Sequence, residues 1–255
     1  MLKTNHIREK LHKDQFVVGT WSIIPSPIVT DIISNTGVDF IIIDREHGPI
    51  SFDTAQEMII ACENNNVSPI IRVGDIIKSD IQNALDIGAH GIQLPNVEIV
   101  EDVKKIIQYT KYPPVGDRGF SPFTRAGGYS INNAKSLMKI ANSNTLNIIN
   151  IESVKAYENI EEMCKLKEVD IFFIGLFDLS KSLNIAGQIE DKKIVSIIND
   201  IVKIANKHHK YVGTITNSIQ KLNFYKDMGL KYLVHLVDCE MLRNSYHQII
   251  NQIKK

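Results

Sequence analysis

The feature that most constrains this chain is the alternation of short apolar runs with segments of helical spacing. Eight apolar runs, from FVVGTWS at 16–22 to YLVHLV at 232–237, are separated by amphipathic or polar segments. The segment 191–209 is the clearest of these, because its isoleucines recur at the spacing of one helix face. Strands that alternate with helices in this way pair in parallel through right-handed crossovers.

This order predicts an α/β fold, specifically a (β/α)8 TIM barrel. The chain has 255 residues, a length that suits one such barrel. No G-x-G-x-x-G motif follows the first strand, which disfavours an open dinucleotide-binding sheet. Because the sequence contains no repeat or linker, we predict a single domain over 1–255 with a short N-terminal helix.

The composition excludes several classes of function. Lys and Arg number 29, equal to the 29 Asp and Glu, so there is no basic excess to hold nucleic acid or an anionic membrane. No apolar run approaches the roughly 20 residues that span a bilayer, and we expect a cytoplasmic protein. Cys62, Cys164 and Cys239 lie far apart, which suggests neither a disulfide framework nor a zinc site, and we expect all three in the core.

Ionisable residues follow several predicted strands, and the densest group is Asp44, Arg45, Glu46 and His47, directly after the apolar run 40–43. Charged groups at the edge of a core cost free energy unless they are paired or used in binding. Other predicted strands end at Trp21, Arg72, Glu152 and Asp178. Because the strands of a barrel deliver their carboxyl ends to one mouth, a shared site is favoured over separate salt bridges and helix caps.

Two of these residues suit a divalent metal. Glu152 and Asp178 would supply hard oxygen ligands from neighbouring strands, a number that suits Mg²⁺ or a similar cation that keeps waters. A 2-oxo acid could chelate this metal through its carboxylate and keto oxygens. Arg72 could then stabilise an enolate with its permanently charged guanidinium.

His47 is the candidate acid–base group, because histidine is the residue type suited to proton transfer at neutral pH. It could act directly or through a water molecule. Either Asp44 or Asp86 could fix the tautomer of the imidazole. Asp86 lies at the end of a predicted helix, so a simple helix-end charge explains it equally well.

Several motifs in one order carry a family resemblance. They are VVGTWS, IIIDREHGP, PIIRV, LDIGAHGIQLPNV, YPPVGDRG, INIES and GLFDLS, and they span nearly the whole chain. The sequence resembles the HpcH/HpaI aldolase family of class II pyruvate-type aldolases. The resemblance implies a metal at Glu152 and Asp178, an enolate-stabilising Arg72, a His-Asp acid–base unit at His47 and a 2-oxo acid pocket lined by Trp21. It also implies a homo-oligomer, either a dimer or a hexamer assembled through exchanged terminal helices.

The chain departs from the family pattern near the expected pocket. Leu176 and Phe177 stand where Pro-Ala or Pro-Ser is usual, and we expect them to line the substrate site with Gly175. The segment 112–130 carries Arg118 and Arg125, which we expect to bind an anionic substrate. Bulk and positive charge of this kind suggest a substrate with more carboxylates than pyruvate, or a second anionic substrate.

Three functions remain open at this point. The TWSIIPSP and GFSPFTRAGGYS segments resemble the branch of the family that makes citrate for staphyloferrin B-type siderophores. That likeness implies citrate synthesis from oxaloacetate and acetyl-CoA, with the metal dispensable and Arg125 contacting a substrate carboxylate or a CoA phosphate. The alternative is a metal-dependent aldolase that cleaves 4-hydroxy-2-oxo acids to pyruvate and an aldehyde. A non-catalytic sensor of a 2-oxo acid or citrate is the third hypothesis, and the presence of His47 counts against it.

Overall fold

Eight parallel strands form a closed barrel in which each strand pairs with its neighbours in chain order and β8 pairs with β1. The structure is a computed structural model that describes residues 4–254. The strands are β1 (Val17–Ser22), β2 (Phe40–Asp44), β3 (Ser68–Arg72), β4 (Gly91–Leu94), β5 (Leu146–Ile151), β6 (Ile171–Ile174), β7 (Tyr211–Thr216) and β8 (Tyr232–Val237). The predicted single-domain (β/α)8 barrel is therefore confirmed, although the first three residues and the last lie outside the described part.

Helices cover the outside of the barrel and one of its two ends. They are α1 (His6–His12), α2 (Pro27–Ser34), α3 (Phe52–Asn64), α4 (Lys78–Asp86), α5 (Val100–Thr110), α6 (Ala134–Asn144), α7 (Val154–Glu158), α8 (Ile160–Cys164), α9 (Leu176–Ser182), α10 (Lys192–Lys207), α11 (Ile219–Asp227) and α12 (Asp238–Ile253). Over residues 4–254, no helix combines the length and the apolarity that crossing a membrane would need.

Two details of the predicted elements are wrong. The sequence predicts one helix over 154–166, but this segment is divided into α7 and α8, which meet at Asn159. The segment 176–178, expected to end a strand, is instead the start of α9, so Asp178 lies on a helix. The second correction matters because it decides in which direction the side chains that follow β6 point.

The inside of the barrel is filled by aromatic and aliphatic side chains. Phe40 and Tyr232 stack with their ring centroids 4.1 Å apart. Gly19 leaves space for this pair, since a Cβ atom there would lie 2.5 Å from a ring carbon of Phe40. Above them Trp21 and Phe173 pack with centroids 5.5 Å apart, so the core reaches up to the mouth.

Helix α1 closes the other end of the barrel. Ile7 and Leu11 are buried among the interior side chains of the strands. The backbone carbonyl of Leu11 accepts a hydrogen bond from the Tyr211 hydroxyl at 2.9 Å. Arg8 forms an ion pair with Asp170 at 2.7 Å, which anchors the helix beside the start of β6. The barrel is therefore sealed where its strands begin and open where they end.

Candidate active site

Strand β2 ends at a buried carboxylate that organises the turn after it. Asp44 is the last residue of β2 and is 1% exposed. Its Oδ1 atom accepts hydrogen bonds from the backbone N–H of Glu46 at 2.9 Å and of His47 at 3.3 Å. The turn therefore places the side chains of Glu46 and His47 at the mouth, with Asp44 beneath them.

Arg72 is held in place by its neighbours on three sides. It ends β3 directly opposite Asp44 in the strand register. Its Nε donates to Asp44 Oδ1 at 2.8 Å, and its Nη1 lies 2.8 Å from Glu46 Oε2. Its guanidinium carbon lies 4.4 Å from the centre of the Trp21 ring. The guanidinium has more N–H donors than these contacts use, so donors remain for a substrate oxygen.

The carboxylates around Arg72 differ in their proton affinity. Burial would raise the pKa of Asp44, but the hydrogen bonds and charge of Arg72, with the backbone N–H groups beyond β2, outweigh burial and hold that pKa below its ordinary value. Burial raises the pKa of Glu46, and the nearby carboxylates of Glu152 and Asp44 add to the rise against the charges of Arg72 and His47. Asp44 is thus a fixed anion, whereas Glu46 takes up a proton more readily than a surface glutamate.

Glu152 follows β5 and is fixed by amide donors. Its Oε1 accepts from Asn150 Nδ2 at 2.8 Å, and its Oε2 accepts from the backbone N–H of Asn96 at 3.2 Å. Gln93 in turn donates to Asn150 Oδ1 at 2.9 Å. Burial raises the pKa of Glu152 above its ordinary value, and the charge of Asp178 adds to the rise although Asn96 and Asn150 oppose it.

Gly175 allows Glu152 to lie where it does. A Cβ atom at position 175 would lie 2.6 Å from Glu152 Cγ, a distance that would force the carboxylate to move. Two residues beyond Leu176, the exposed carboxylate of Asp178 faces the same opening from α9. The predicted role of Gly175 as a lining residue thus has a definite steric reason.

The mouth has two lobes that share His47, Arg72, Glu152 and Asp178. The polar lobe is a cleft of about 500 Å³ towards α9 and the loop after β4. The apolar lobe is a cleft of about 390 Å³. It is lined by Trp21, Asp44, Phe173, Gly175, Leu176 and Phe177, among others. The mouth therefore brings together Trp21, Asp44, His47, Arg72, Glu152, Gly175, Leu176, Phe177 and Asp178, all of which the sequence placed in one site.

Glu152 and Asp178 fit a divalent cation. Their carboxylates face one cleft, and a cation between them would offset the burial and mutual repulsion that raise the pKa of Glu152. Within residues 4–254, no three His, Cys, Asp or Glu side chains form a metal-holding cluster. A cation held by two carboxylates keeps positions for water and for substrate oxygens, as Mg²⁺ prefers. The HpcH/HpaI aldolases are in general dependent on a divalent metal.

Asp44 does not orient the imidazole of His47. Its carboxylate is occupied by Arg72 and by backbone N–H groups, so its contact with His47 is made to the main chain. The ring itself is 73% exposed, and its Nε2 lies 3.9 Å from Glu46 Oε1. The carboxylate beside the imidazole is therefore that of Glu46 and not that of Asp44.

Asp86 and Arg118 lie at the opposite end of the barrel from the mouth. Asp86 ends α4, a helix that returns the chain to the start of β4, and its Oδ1 accepts from Arg118 Nη2 at 2.6 Å. The Arg118 guanidinium also lies over the Tyr112 ring, 4.6 Å from its centre. Within one chain, neither the catalytic role expected for Asp86 nor the substrate contact expected for Arg118 is possible.

Arg125 is also placed away from the mouth of its own chain. It forms an ion pair with Glu63 near the end of α3, and Glu63 lies 3.1 Å from His90 Nε2. The segment that carries both arginines follows α5, so it runs beneath the barrel where the strands begin. Contact of Arg125 with a substrate in the same chain is excluded by this position.

Some residues of the mouth were not predicted from the sequence. Asn96 follows β4 and lines the polar lobe, as does Lys181 on α9. Cys239, expected in the core, lines the apolar lobe and is half-buried. The position of Lys181 in the mouth could have been predicted from its spacing of three residues from Asp178. That spacing is informative only when 176–182 is recognised as a helix, in which such residues lie on one face.

The arrangement agrees with the comparison to known families. The family model described as HpcH/HpaI aldolase/citrate lyase matches residues 18–239. The chain belongs to this family. It is therefore an enzyme of the aldolase superfamily, and the matched region runs from β1 into α12, across every strand end that builds the mouth.

Relatives within the family carry more than one activity. The chain is 26% identical to a 5-keto-4-deoxy-D-glucarate aldolase of Shigella boydii over 251 residues, 98% of this chain and 97% of that protein. Among solved structures, an HpcH/HpaI aldolase from Desulfitobacterium hafniense superposes with a TM-score of 0.92 at 27% identity, covering 97% of this chain and 96% of that one. The citrate synthase SbnG superposes with a TM-score of 0.87 at 28% identity, over the same shares of the two chains.

Proposed function

We propose that this protein is a metal-dependent class II aldolase that cleaves 4-hydroxy-2-oxo acids to pyruvate and an aldehyde. The observation that carries the proposal is the convergence of His47, Arg72, Glu152 and Asp178 on both lobes of one mouth. This set supplies a cation site, a fixed positive charge and an acid–base group within one cleft. The aldolases among its relatives support the same reaction class.

The 2-oxo acid end of the substrate would lie between the carboxylates and Arg72. Glu152 and Asp178 would hold the divalent cation, which supplies Lewis-acid stabilisation of charge on the keto oxygen when it is bound. Arg72 is anchored by Asp44, so its remaining donors point to a fixed position and stabilise negative charge on the same oxygen. Trp21 packs against the guanidinium and limits its movement.

His47 would move the proton. In cleavage, the imidazole accepts the proton of the C4 hydroxyl, directly or through water, as the C3–C4 bond breaks. The electron pair of that bond passes to C3 and gives the enolate of pyruvate, and the C4 fragment leaves as the aldehyde. Protonation of C3 then completes pyruvate. The exposed position of His47 suits exchange of this proton with solvent.

The proposal is tested by giving the purified protein 4-hydroxy-2-oxopentanoate and Mg²⁺. Pyruvate released with acetaldehyde is followed by lactate dehydrogenase and the loss of NADH. We expect His47→Ala to lower kcat about 100-fold or more, because general acid–base catalysis contributes at least this much. His6→Ala serves as the matched control, because His6 pairs with Glu9 on α1, at the opposite end of the barrel from the mouth.

Citrate synthesis from oxaloacetate and acetyl-CoA is the second candidate, because the citrate synthase SbnG superposes on nearly the whole chain. The positive charge of Arg118 and Arg125, which suggested a second anionic substrate, supports this candidate less, since both residues lie away from the mouth of their own chain. Release of free thiol from acetyl-CoA and oxaloacetate, without pyruvate formation from hydroxy-oxo acids, would replace the aldolase proposal by this one. If the unaltered protein binds a 2-oxo acid or citrate but turns over neither set of substrates, the sensor hypothesis would be favoured.

A further inference from the structure

The polar lobe extends beyond the residues that the proposed reaction uses. Besides the four residues shared with the apolar lobe, it is lined by Glu46, Asn96, Val97, Glu98, Ser153, Lys181 and Ser182. Its volume of about 500 Å³ exceeds what a three-carbon 2-oxo acid needs. The additional space can therefore hold the remainder of a longer substrate.

Lys181 is the cation of this lobe whose charge is not already compensated. The charge of Arg72 is balanced by Asp44 and Glu46. Glu98 on the same rim pairs with Lys155 at 2.7 Å, so that carboxylate is neutralised from outside the cleft. Lys181 makes no ion pair with any residue in the part of the chain that the structure describes.

The helix places Lys181 next to the reacting centre. Asp178 and Lys181 both lie on α9, three residues apart, so their side chains emerge as neighbours on one face. A substrate whose 2-oxo acid end lies at Asp178 therefore directs its other end along the polar lobe towards Lys181. The single positive charge of Lys181 matches a single carboxylate better than the double negative charge of a phosphate.

We propose that Lys181 binds a carboxylate on the aldehyde part of the substrate and so selects acidic aldehydes over neutral ones. This inference rests on the proposed aldolase function and deepens it. In the cleavage direction, the same contact would favour substrates that carry a second carboxylate at the end distant from the 2-oxo acid.

The test compares two aldehydes of equal chain length in the condensation direction. Pyruvate, Mg²⁺ and either succinic semialdehyde or butanal are supplied to the protein, and kcat/KM for the aldehyde is measured from pyruvate consumption. We expect Lys181→Met to lower kcat/KM about tenfold for succinic semialdehyde, the loss typical of one charge-assisted hydrogen bond. The value for butanal should change by less than about twofold, and Lys181→Arg should restore most of the loss because the positive charge remains.

Lys193→Met is the matched control, because Lys193 is an exposed lysine on α10 and does not line the mouth. Equal losses for both aldehydes, or no loss for succinic semialdehyde, would overturn the role of Lys181. Glyceraldehyde 3-phosphate is measured as a third aldehyde. If Lys181→Met lowers kcat/KM for this phosphate alone, the assignment of a carboxylate is overturned. If the unaltered protein turns over neither aldehyde, the aldolase proposal itself fails, and the role of Lys181 fails with it.

Discussion

At the scale of single residues, Asp44 stabilises both the fold and the site. Its carboxylate is buried and pairs with Arg72, and its removal would leave a nearly buried guanidinium short of a partner. We expect Asp44→Asn to lower the free energy of unfolding by about 3 kcal/mol, the cost of breaking a buried ion pair. Urea denaturation at neutral pH measures this difference.

The pH dependence of the same pair has a definite sign. The pKa of Asp44 in the folded protein lies below its value in the unfolded chain, which is about 3.9. The stabilisation is therefore complete above about pH 3.9 and is lost as the pH falls through the folded-state pKa. The difference between the unaltered protein and Asp44→Asn should shrink only in this acid range. A difference that already vanishes near pH 6 would contradict the assignment.

Gly175 offers a second test at the residue scale. Gly175→Ala places a methyl group against Glu152 and displaces one of the two carboxylates that suit a cation. We expect Mn²⁺, used as a paramagnetic probe, to bind about tenfold more weakly, the low end of what losing support for a ligand costs. Gly74→Ala is the control, because a Cβ atom there comes no closer than 3.9 Å to its neighbours. Equal Mn²⁺ affinity in both variants would show that Glu152 does not hold the metal.

The residues of the mouth were most predictable from the sequence where a strand end fixes them. Asp44 and Arg72 end buried apolar strands, so the barrel itself directs them to the mouth. The side chain that pairs with Asp44 was not predictable, because both the imidazole of His47 and the guanidinium of Arg72 are candidates. The register of β2 and β3 in the folded sheet places Arg72 directly opposite Asp44. Arg72 is the stronger partner, since it donates from two nitrogens at once.

At the scale of elements, the order of strands and helices carries most of the predictive information. The apolar periodicity located every strand to within a few residues. Helix α9 was missed because it has seven residues and begins directly after Gly175, whose position as N-cap provides no side-chain hydrogen bond. The position of 112–130 could have been predicted, since a segment that follows a helix in a β/α repeat returns to the end where strands begin. Its arginines were instead interpreted from their charge alone.

Helix α1 provides a test at this scale. It seals the barrel with Leu11, which is 2% exposed, and no strand or other helix substitutes for it among the interior contacts of the described residues. We expect Leu11→Ala to lower the free energy of unfolding by about 2–5 kcal/mol, the range for a large aliphatic side chain removed from a core. Lys13→Ala, an exposed position next to the helix, is the control. An equal, small effect of both changes would mean that α1 is not part of the cooperative core.

At the scale of the whole molecule, α12 is the element that the single chain leaves uncovered. It begins at the end of β8, and every residue from 241 to 254 is exposed. Its apolar side chains repeat at helical spacing along the exposed length and comprise Met241, Leu242, Tyr246, Ile249, Ile250 and Ile253. Contiguous exposed apolar surface of this kind is typical of a protein–protein interface.

We expect a second copy of the chain to cover α12, in agreement with the dimer or hexamer that the family resemblance implies. The mass in solution, measured by light scattering, should then be two or six times the chain mass of 28.8 kDa. Ile250→Glu should shift the mass towards that of one chain, because it places a charge within the apolar stripe. Gln252→Glu adds the same charge at an exposed polar position and should leave the mass unchanged. A protein that has the mass of one chain before any substitution would contradict the expectation directly, and the apolar stripe of α12 would then require a different partner.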